Sequence, residues 1–160
     1  DLGVVTLPVN IPGSSDLMTV ARASDELRLI APPGHALAGR DDFAWKDLEG
    51  EPVVGFEAGS SVRDVIDQAA AVHGVTLEVV VELRSIEGIA RMVRAGVGVG
   101  FVSRMAIGGA VQNGADGGSL ACRDGRLVRG LALVRRRDRS PAPAAAAFEQ
   151  DLVRAMATAM

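Results

Sequence analysis

Residues 85–103, SIEGIARMVRAGVGVGFVS, constrain the fold more than any other part of the chain. They read as a helix followed at once by a buried strand. Ser85 can cap the helix, because its hydroxyl can accept a free amide of the first turn, and Glu87 suits the positive end of the helix. Ile86, Ile89, Ala90 and Val93 recur at helical spacing as one apolar stripe. Gly96 can stop the helix in the left-handed conformation. Val97, Val99, Phe101 and Val102 then interleave with Gly98 and Gly100, an apolar run that suits a strand covered on both faces. The Gly-x-Gly-x-Gly here is no dinucleotide fingerprint, since that motif follows a strand and opens a helix. These glycines instead predict close packing of the backbone.

The same alternation continues elsewhere. Strands are predicted over 2–7, 27–31, 53–56, 77–83 and 127–134, with helices over 61–73 and 141–160. The first of these helices carries Val62, Val65, Ile66, Ala69 and Val72 on one face and closes at Gly74. The segments 8–15 and 108–119 read as loops rich in glycine, proline and serine. Strands alternating with helices of this size give an α/β fold, with a parallel or mixed sheet packed by helices.

A chain of 160 residues is long enough to bury a core, and 48% hydrophobic with 23% charged residues is ordinary for a globular protein. Its net charge of -3 argues against a nucleic-acid-binding face. One cysteine, Cys122, excludes an internal disulfide and fits a reducing compartment. No apolar run approaches the roughly 20 residues of a membrane span.

The strongest local candidate for binding is Gly55-Phe56-Glu57-Ala58-Gly59-Ser60-Ser61, a strand end leading through glycines into a helix. The first amides of that helix have no internal partner and suit an anion. Ser60 and Ser61 add hydroxyls. Ser61 with Asp64 also fits a capping pattern, so capping alone is a competing role for Ser61. No lysine lies near enough for a phosphate-binding Walker loop. His35 lies in a Pro-Pro-Gly-His turn and His73 at a helix end, both read as structural. Cys122 reads as a small hydrophobe, and Asp64 with Asp67 as a solvated helix face. The run Arg135, Arg136, Arg137 and Arg139 reads as a solvated or interface edge. No clustered ligands suggest a metal, and no cofactor motif is present.

The stretch 85–103 closely resembles the "LVxAGLGVxxLP" segment of the effector-sensing domain of LysR-type transcriptional regulators, departing only at Val102-Ser103, where that family often has Leu-Pro. Five further segments fall in the family's order. Asp1-Leu2-Gly3-Val4-Val5 resembles its "LDLAI" strand. The segment 26–40, ELRLIAPPGHALAGR, resembles the passage between its two subdomains. Trp45-Lys46-Asp47-Leu48 and Pro52-Val53-Val54 resemble its next short helix and strand. The segment 129–139, RGLALVRRRDR, followed by an alanine-rich helix, resembles the return.

The resemblance implies a two-lobed, type II periplasmic-binding-protein-like fold of Rossmann-type lobes joined by two crossing strands. Residues 1–31 with 127–160 would form lobe I, and 32–126 lobe II. Nothing in the chain corresponds to the family's DNA-binding winged helix-turn-helix, so the chain is expected to contact DNA only through a head outside it. The resemblance also implies an effector anion in the cleft between lobes, and because Phe56, Phe101 and Val102 would make the rest of the pocket partly apolar, a small organic carboxylate is expected. Ligand contacts are expected from Thr6 and Leu7, from Phe56, Gly59, Ser60 and Ser61, and from Phe101, Val102 and Ser103, with capping a compatible second role for Ser61. It further implies a cytoplasmic, homo-oligomeric, non-enzymatic regulator. Two other functions suit the architecture. One is an extracytoplasmic solute-binding protein of a transporter. The other is a small-acid dehydratase, for which Glu57 alone would be a candidate acid or base.

Overall fold

The short apolar runs 52–56 and 99–103, which carry no charged residue, form the most deeply buried strands of this protein. The computed structural model describes residues 2–9, 13–107 and 118–158. In chain order the elements are β1 (Leu2–Thr6), β2 (Leu17–Ile30), β3 (Asp42–Phe43), β4 (Pro52–Phe56), α1 (Ser61–Val72), β5 (Glu78–Leu83), α2 (Ile86–Arg94), β6 (Val99–Ser103), β7 (Ala121–Cys122), β8 (Val128–Arg136) and α3 (Pro143–Thr158). Described residues up to Asp25 and from Arg129 onward form one compact unit, unit 1, and those from Glu26 to Val128 form unit 2. Both passages between units occur inside strands, β2 and β8.

Unit 2 is an α/β layer with strands in the order β2-β6-β4-β5. β4 runs parallel to both β5 and β6, while the end of β2 pairs antiparallel with β6, Leu27 opposite Ser103 and Ile30 opposite Gly100. Every residue of β6 is buried, in line with its apolar run. The two glycines at its start have steric reasons. A Cβ at Gly98 would run into the Pro52 carbonyl, and one at Gly100 would lie 2.8 Å from a methyl of Ile89 and 2.9 Å from one of Val93. Glycine therefore lets α2 and β4 close on β6. The α2 cap is as read: Ser85 Oγ accepts from the Gly88 amide at 2.9 Å, and Ile89, Ala90 and Val93 are buried. Gly74 and Gly96 both take positive φ after their helices.

Four of the five phenylalanine and tryptophan residues lie in unit 2. Phe101 meets Phe43 edge-on at 5.9 Å between ring centroids and stacks on Trp45 at 5.7 Å. Trp45 in turn stacks with His73 at the end of α1. His35 is tied down as well. Its Nδ1 accepts from the Leu37 amide at 3.1 Å, which makes Nε2 the donor to Glu51 at 3.0 Å.

Unit 1 holds β1 antiparallel to β8, Leu2 opposite Arg135 and Thr6 opposite Leu131. α3 belongs to the same unit, and Glu149 on it lies 3.2 Å from Arg135 Nε without hydrogen-bond alignment. Asp25, 1% exposed, accepts from Arg129 Nε at 2.8 Å.

Several expectations need correction. β2 begins at Leu17, ten residues before the predicted start. Asp25 and Glu26 interrupt the apolar pattern, but arginines neutralise both, so the strand runs through them. β8 likewise continues to Arg136. The pairing of β3 with β7 was not predicted, since each contributes only two residues. Asp64 and Asp67 do lie on an exposed helix face, but there Arg63 Nε reaches both oxygens of Asp67, at 2.9 and 2.7 Å. Most of the glycine-rich 108–119 segment lies outside the described residues.

Candidate functional site

Parallel strands end on one edge of a sheet, and small ligands of open α/β folds lie beyond that edge. In unit 2 it carries the chain after Phe56 of β4, Leu83 of β5 and Ser103 of β6.

The segment after β4 turns tightly. The Glu57 amide still donates to the Leu83 carbonyl at 3.1 Å, prolonging the pairing with β5. Ala58 then donates to a Glu82 carboxylate oxygen at 3.2 Å. Gly59 adopts φ +78°, and the Ser60 amide closes back on the Glu57 carbonyl at 3.2 Å. The cap of α1 is Ser60, not Ser61 as the Ser-x-x-Asp pattern suggested. With Gly59 turning the chain, Ser60 is the last extended residue, and its Oγ accepts from the Arg63 amide at 3.3 Å. Ser61 is the first helical residue and is exposed. Its hydroxyl is not the cap, and its amide and that of Val62 lie where a helix has no acceptor of its own.

Three charged residues that the sequence reading passed over brace this turn. Arg63 Nη1 donates to the Phe56 carbonyl at 3.0 Å and to Glu82 at 3.1 Å, tying the strand end to β5. Partial burial works against its charge, but the hydrogen bonds that it donates to Asp67 and Glu82 outweigh it and hold the guanidinium above its ordinary range. Arg84 donates twice to Glu57, at 2.6 and 2.9 Å. That hydrogen bonding holds the Glu57 carboxyl below its ordinary range, the wrong direction for a general acid. The Arg63–Asp67 pair has the i, i+4 spacing of a helical ion pair and was open to detection. Glu82 and Arg84 reach the turn only through β4–β5 pairing, for which no local signal exists.

The other expected residues fall as follows. Phe56 and Phe101 are buried and line a cavity beneath α1 with Ile66 and Val79. Its volume, about 10 Å³, is no more than a single water needs. Val102 is fully buried. Ser103 is 4% exposed, and its Oγ accepts from the Met105 amide at 3.2 Å, capping a single 3-10 turn. These residues and the 59–61 turn all belong to unit 2. Thr6 and Leu7 belong to unit 1, where Thr6 ends β1 and the Leu7 amide donates to the Gly130 carbonyl at 2.8 Å. Cys122 is half-buried, and burial pushes its thiol up. Among the described residues no cluster of histidine, cysteine or carboxylate side chains could hold a metal ion, and no helix is long and apolar enough to cross a membrane.

The family model for the LysR substrate binding domain matches residues 1–157. The chain belongs to this family. It is 33% identical over 156 residues to a probable RuBisCO transcriptional regulator of Nostoc, covering 92% of this chain and 45% of the relative. A second relative, the transcriptional activator protein LysR of Escherichia coli, is 33% identical over 103 residues, covering 64% of this chain and 32% of that protein. The chain spans less than half the length of these relatives. In structure it is similar to the CcmR regulatory domain of Synechocystis solved with 2-PG, at TM-score 0.79 and 23% identity, over 98% of this chain and 73% of that one. It is likewise similar to the effector binding domain of QuiR solved with shikimate, at TM-score 0.82 and 16% identity, over 99% and 72%. The fold is thus the type II periplasmic-binding-protein-like α/β fold of LysR effector-binding domains. The family groups the chain with sensing domains of transcriptional regulators and not with the solute-binding proteins of transporters.

Proposed function

We propose that this LysR-family domain senses a small organic carboxylate, held on unit 2 by the 59–61 turn. The observation that carries the reading is the division of labour between the two serines. Ser60 is committed to capping α1, while Ser61 keeps an exposed hydroxyl beside two first-turn amides. Those groups suit an anion at the positive end of a 12-residue helix. Ser103 at the end of β6 is assigned a polar contact, while Phe56, Phe101 and Val102 support the strand ends from within the core. Thr6 and Leu7 are assigned as effector contacts of unit 1. In the longer protein, a cytoplasmic homo-oligomer, effector binding would alter DNA binding by a separate segment. It can do so only through different affinities for two arrangements of the protein. The chain itself, at net charge -3, is assigned no DNA contact.

A thermal-shift screen of small carboxylates tests this, followed by titration of the best ligand into Ser61→Ala and Ser103→Ala variants. Ser61→Ala should weaken binding severalfold without lowering stability, and Ser103→Ala should have the smaller effect. If both variants bind as the parent does, the proposed pocket is wrong.

A further inference from the structure

Several arginines of unit 2 have carboxylates of their own. Arg63 lies between Asp67 and Glu82, Arg84 faces Glu57, and Arg123 faces Asp42. One cluster breaks that balance. Glu26, its side chain 9% exposed, has three guanidiniums around it: Arg28 Nε at 3.1 Å, Arg104 Nη1 at 3.2 Å and Arg126 Nη2 at 3.6 Å. No other carboxylate among the described residues lies within ion-pair distance of these three. Three positive charges against one negative leave a local excess of two, within a chain whose net charge is -3.

Backbone pairing makes this arrangement unavoidable. Leu27 lies opposite Ser103 in the β2–β6 ladder, and its amide donates to the Leu127 carbonyl at 2.8 Å. The neighbours of those three residues, Glu26 and Arg28, Arg104, and Arg126, are thereby brought to one place. Arg104 and Arg126 approach the same Glu26 oxygen, so both face a common point that a single ligand can reach. Each guanidinium has five donors, yet the hydrogen bonds to Glu26 use one on Arg28 and one on Arg104. The Arg104 and Arg126 side chains are 62% and 73% exposed, so their remaining donors face solvent.

We propose that Glu26, Arg28, Arg104 and Arg126 form a second anion site, separate from the 59–61 turn, which takes a compact doubly charged oxyanion such as a phosphate or phosphate monoester. A dianion balances the excess of two charges, and its tetrahedral oxygens match the forked donors of several guanidiniums. Glu26 holds the arginines in place and also repels the ligand, so it keeps the affinity moderate.

Calorimetric titration of inorganic phosphate at low ionic strength tests the site. The parent protein should bind saturably, and Arg104→Gln/Arg126→Gln should bind at least about tenfold more weakly, as expected for two charges lost near a surface. Glu26→Gln should bind more tightly than the parent. Should that variant not fold, a salt titration of the parent serves instead, because binding should weaken steeply as ionic strength rises. Ser61→Ala should leave phosphate affinity unchanged, which separates this site from the carboxylate reading. Absence of saturable binding by the parent would overturn the proposal. So would equal affinity in Arg104→Gln/Arg126→Gln and in the surface control Arg136→Gln/Arg139→Gln. Binding of random duplex DNA that the same double substitution abolishes, without saturable phosphate binding, would also replace a small-anion site with a polyanion surface.

Discussion

Replacing Gly98 with alanine should lower the urea midpoint of unit 2 by about 1 M. The added Cβ would collide with the carbonyl oxygen of Pro52, lie 2.7 Å from its carbonyl carbon and 3.2 Å from the Pro52 Cβ. Pro52 opens β4, and the adjoining pair Val53 and Val99 sets the register of β4 with β6. Backbone cannot rotate aside as a side chain can, so one strand must shift. Overpacking of this kind costs about 1–3 kcal/mol, and here the upper part of that range applies. Alanine for glycine also restricts the unfolded chain, which offsets about 0.4–1 kcal/mol. A net loss of about 2 kcal/mol, with a urea slope of about 2 kcal/mol per molar, gives the stated shift. Gly100→Ala should cost less, about 1 kcal/mol, because two of its three close neighbours are methyl groups of Ile89 and Val93 that can adjust. The assay is intrinsic fluorescence. Trp45 is the sole tryptophan, lies in unit 2 and is 2% exposed, so its emission reports the unfolding of this unit. A Gly98→Ala midpoint at or above that of the parent, or a larger loss for Gly100→Ala, would refute the packing argument.

Three further outcomes are expected. Arg129→Met takes the guanidinium from the buried Asp25 carboxylate and should cost about 3 kcal/mol by calorimetry, whereas Arg139→Gln at the surface should cost almost nothing. Cys122, its thiol pushed up by burial, should react with iodoacetamide at a rate that still climbs above the ordinary thiol range; a rate already level at neutral pH would contradict this. Glu57 and Asp42, held low by hydrogen bonds from Arg84 and Arg123, should show carboxyl NMR titrations centred below ordinary carboxylate values. Because their folded values are depressed, any stability they add is present above the unfolded values and lost as pH falls through the folded ones. Both side chains are nearly half exposed, so high salt should move the midpoints back up.

Residues 85–103 were legible because every signal in them is local. A serine cap, a 3.6-residue stripe, a stopping glycine and a glycine-spaced apolar run each act within a few residues, and α2 and β6 follow them closely. The first half of β2 was illegible for the opposite reason. Its residues 17–26 mix small, polar and charged types, and the partner that makes Asp25 acceptable, Arg129, lies 104 residues away. At the candidate site the sequence marked the turn and the helix start at Ser61 but misplaced the cap. The positive φ of Gly59 moved the cap from Ser61 to Ser60. Arg104 and Arg126 reach Glu26 only through the β2–β6 register and the Leu27–Leu127 hydrogen bond, and no spacing in the sequence announces either.

The passage of the chain between units through β2 and β8 has a consequence for synthesis on the ribosome. Unit 2 is one continuous segment, Glu26 to Val128, whereas unit 1 is assembled from both sides of it. β1 emerges before unit 2, yet Leu2 pairs with Arg135. At translation rates of about 5–20 residues per second, β1 waits on the order of ten seconds for that partner. Unit 2 can meanwhile be completed from its own residues. Within this segment unit 2 should therefore acquire structure before unit 1, with β1 unpaired until β8 has been made. Ribosome-bound chains stalled shortly after residue 128 has cleared the exit tunnel should accordingly resist protease across unit 2 and be cut within β1.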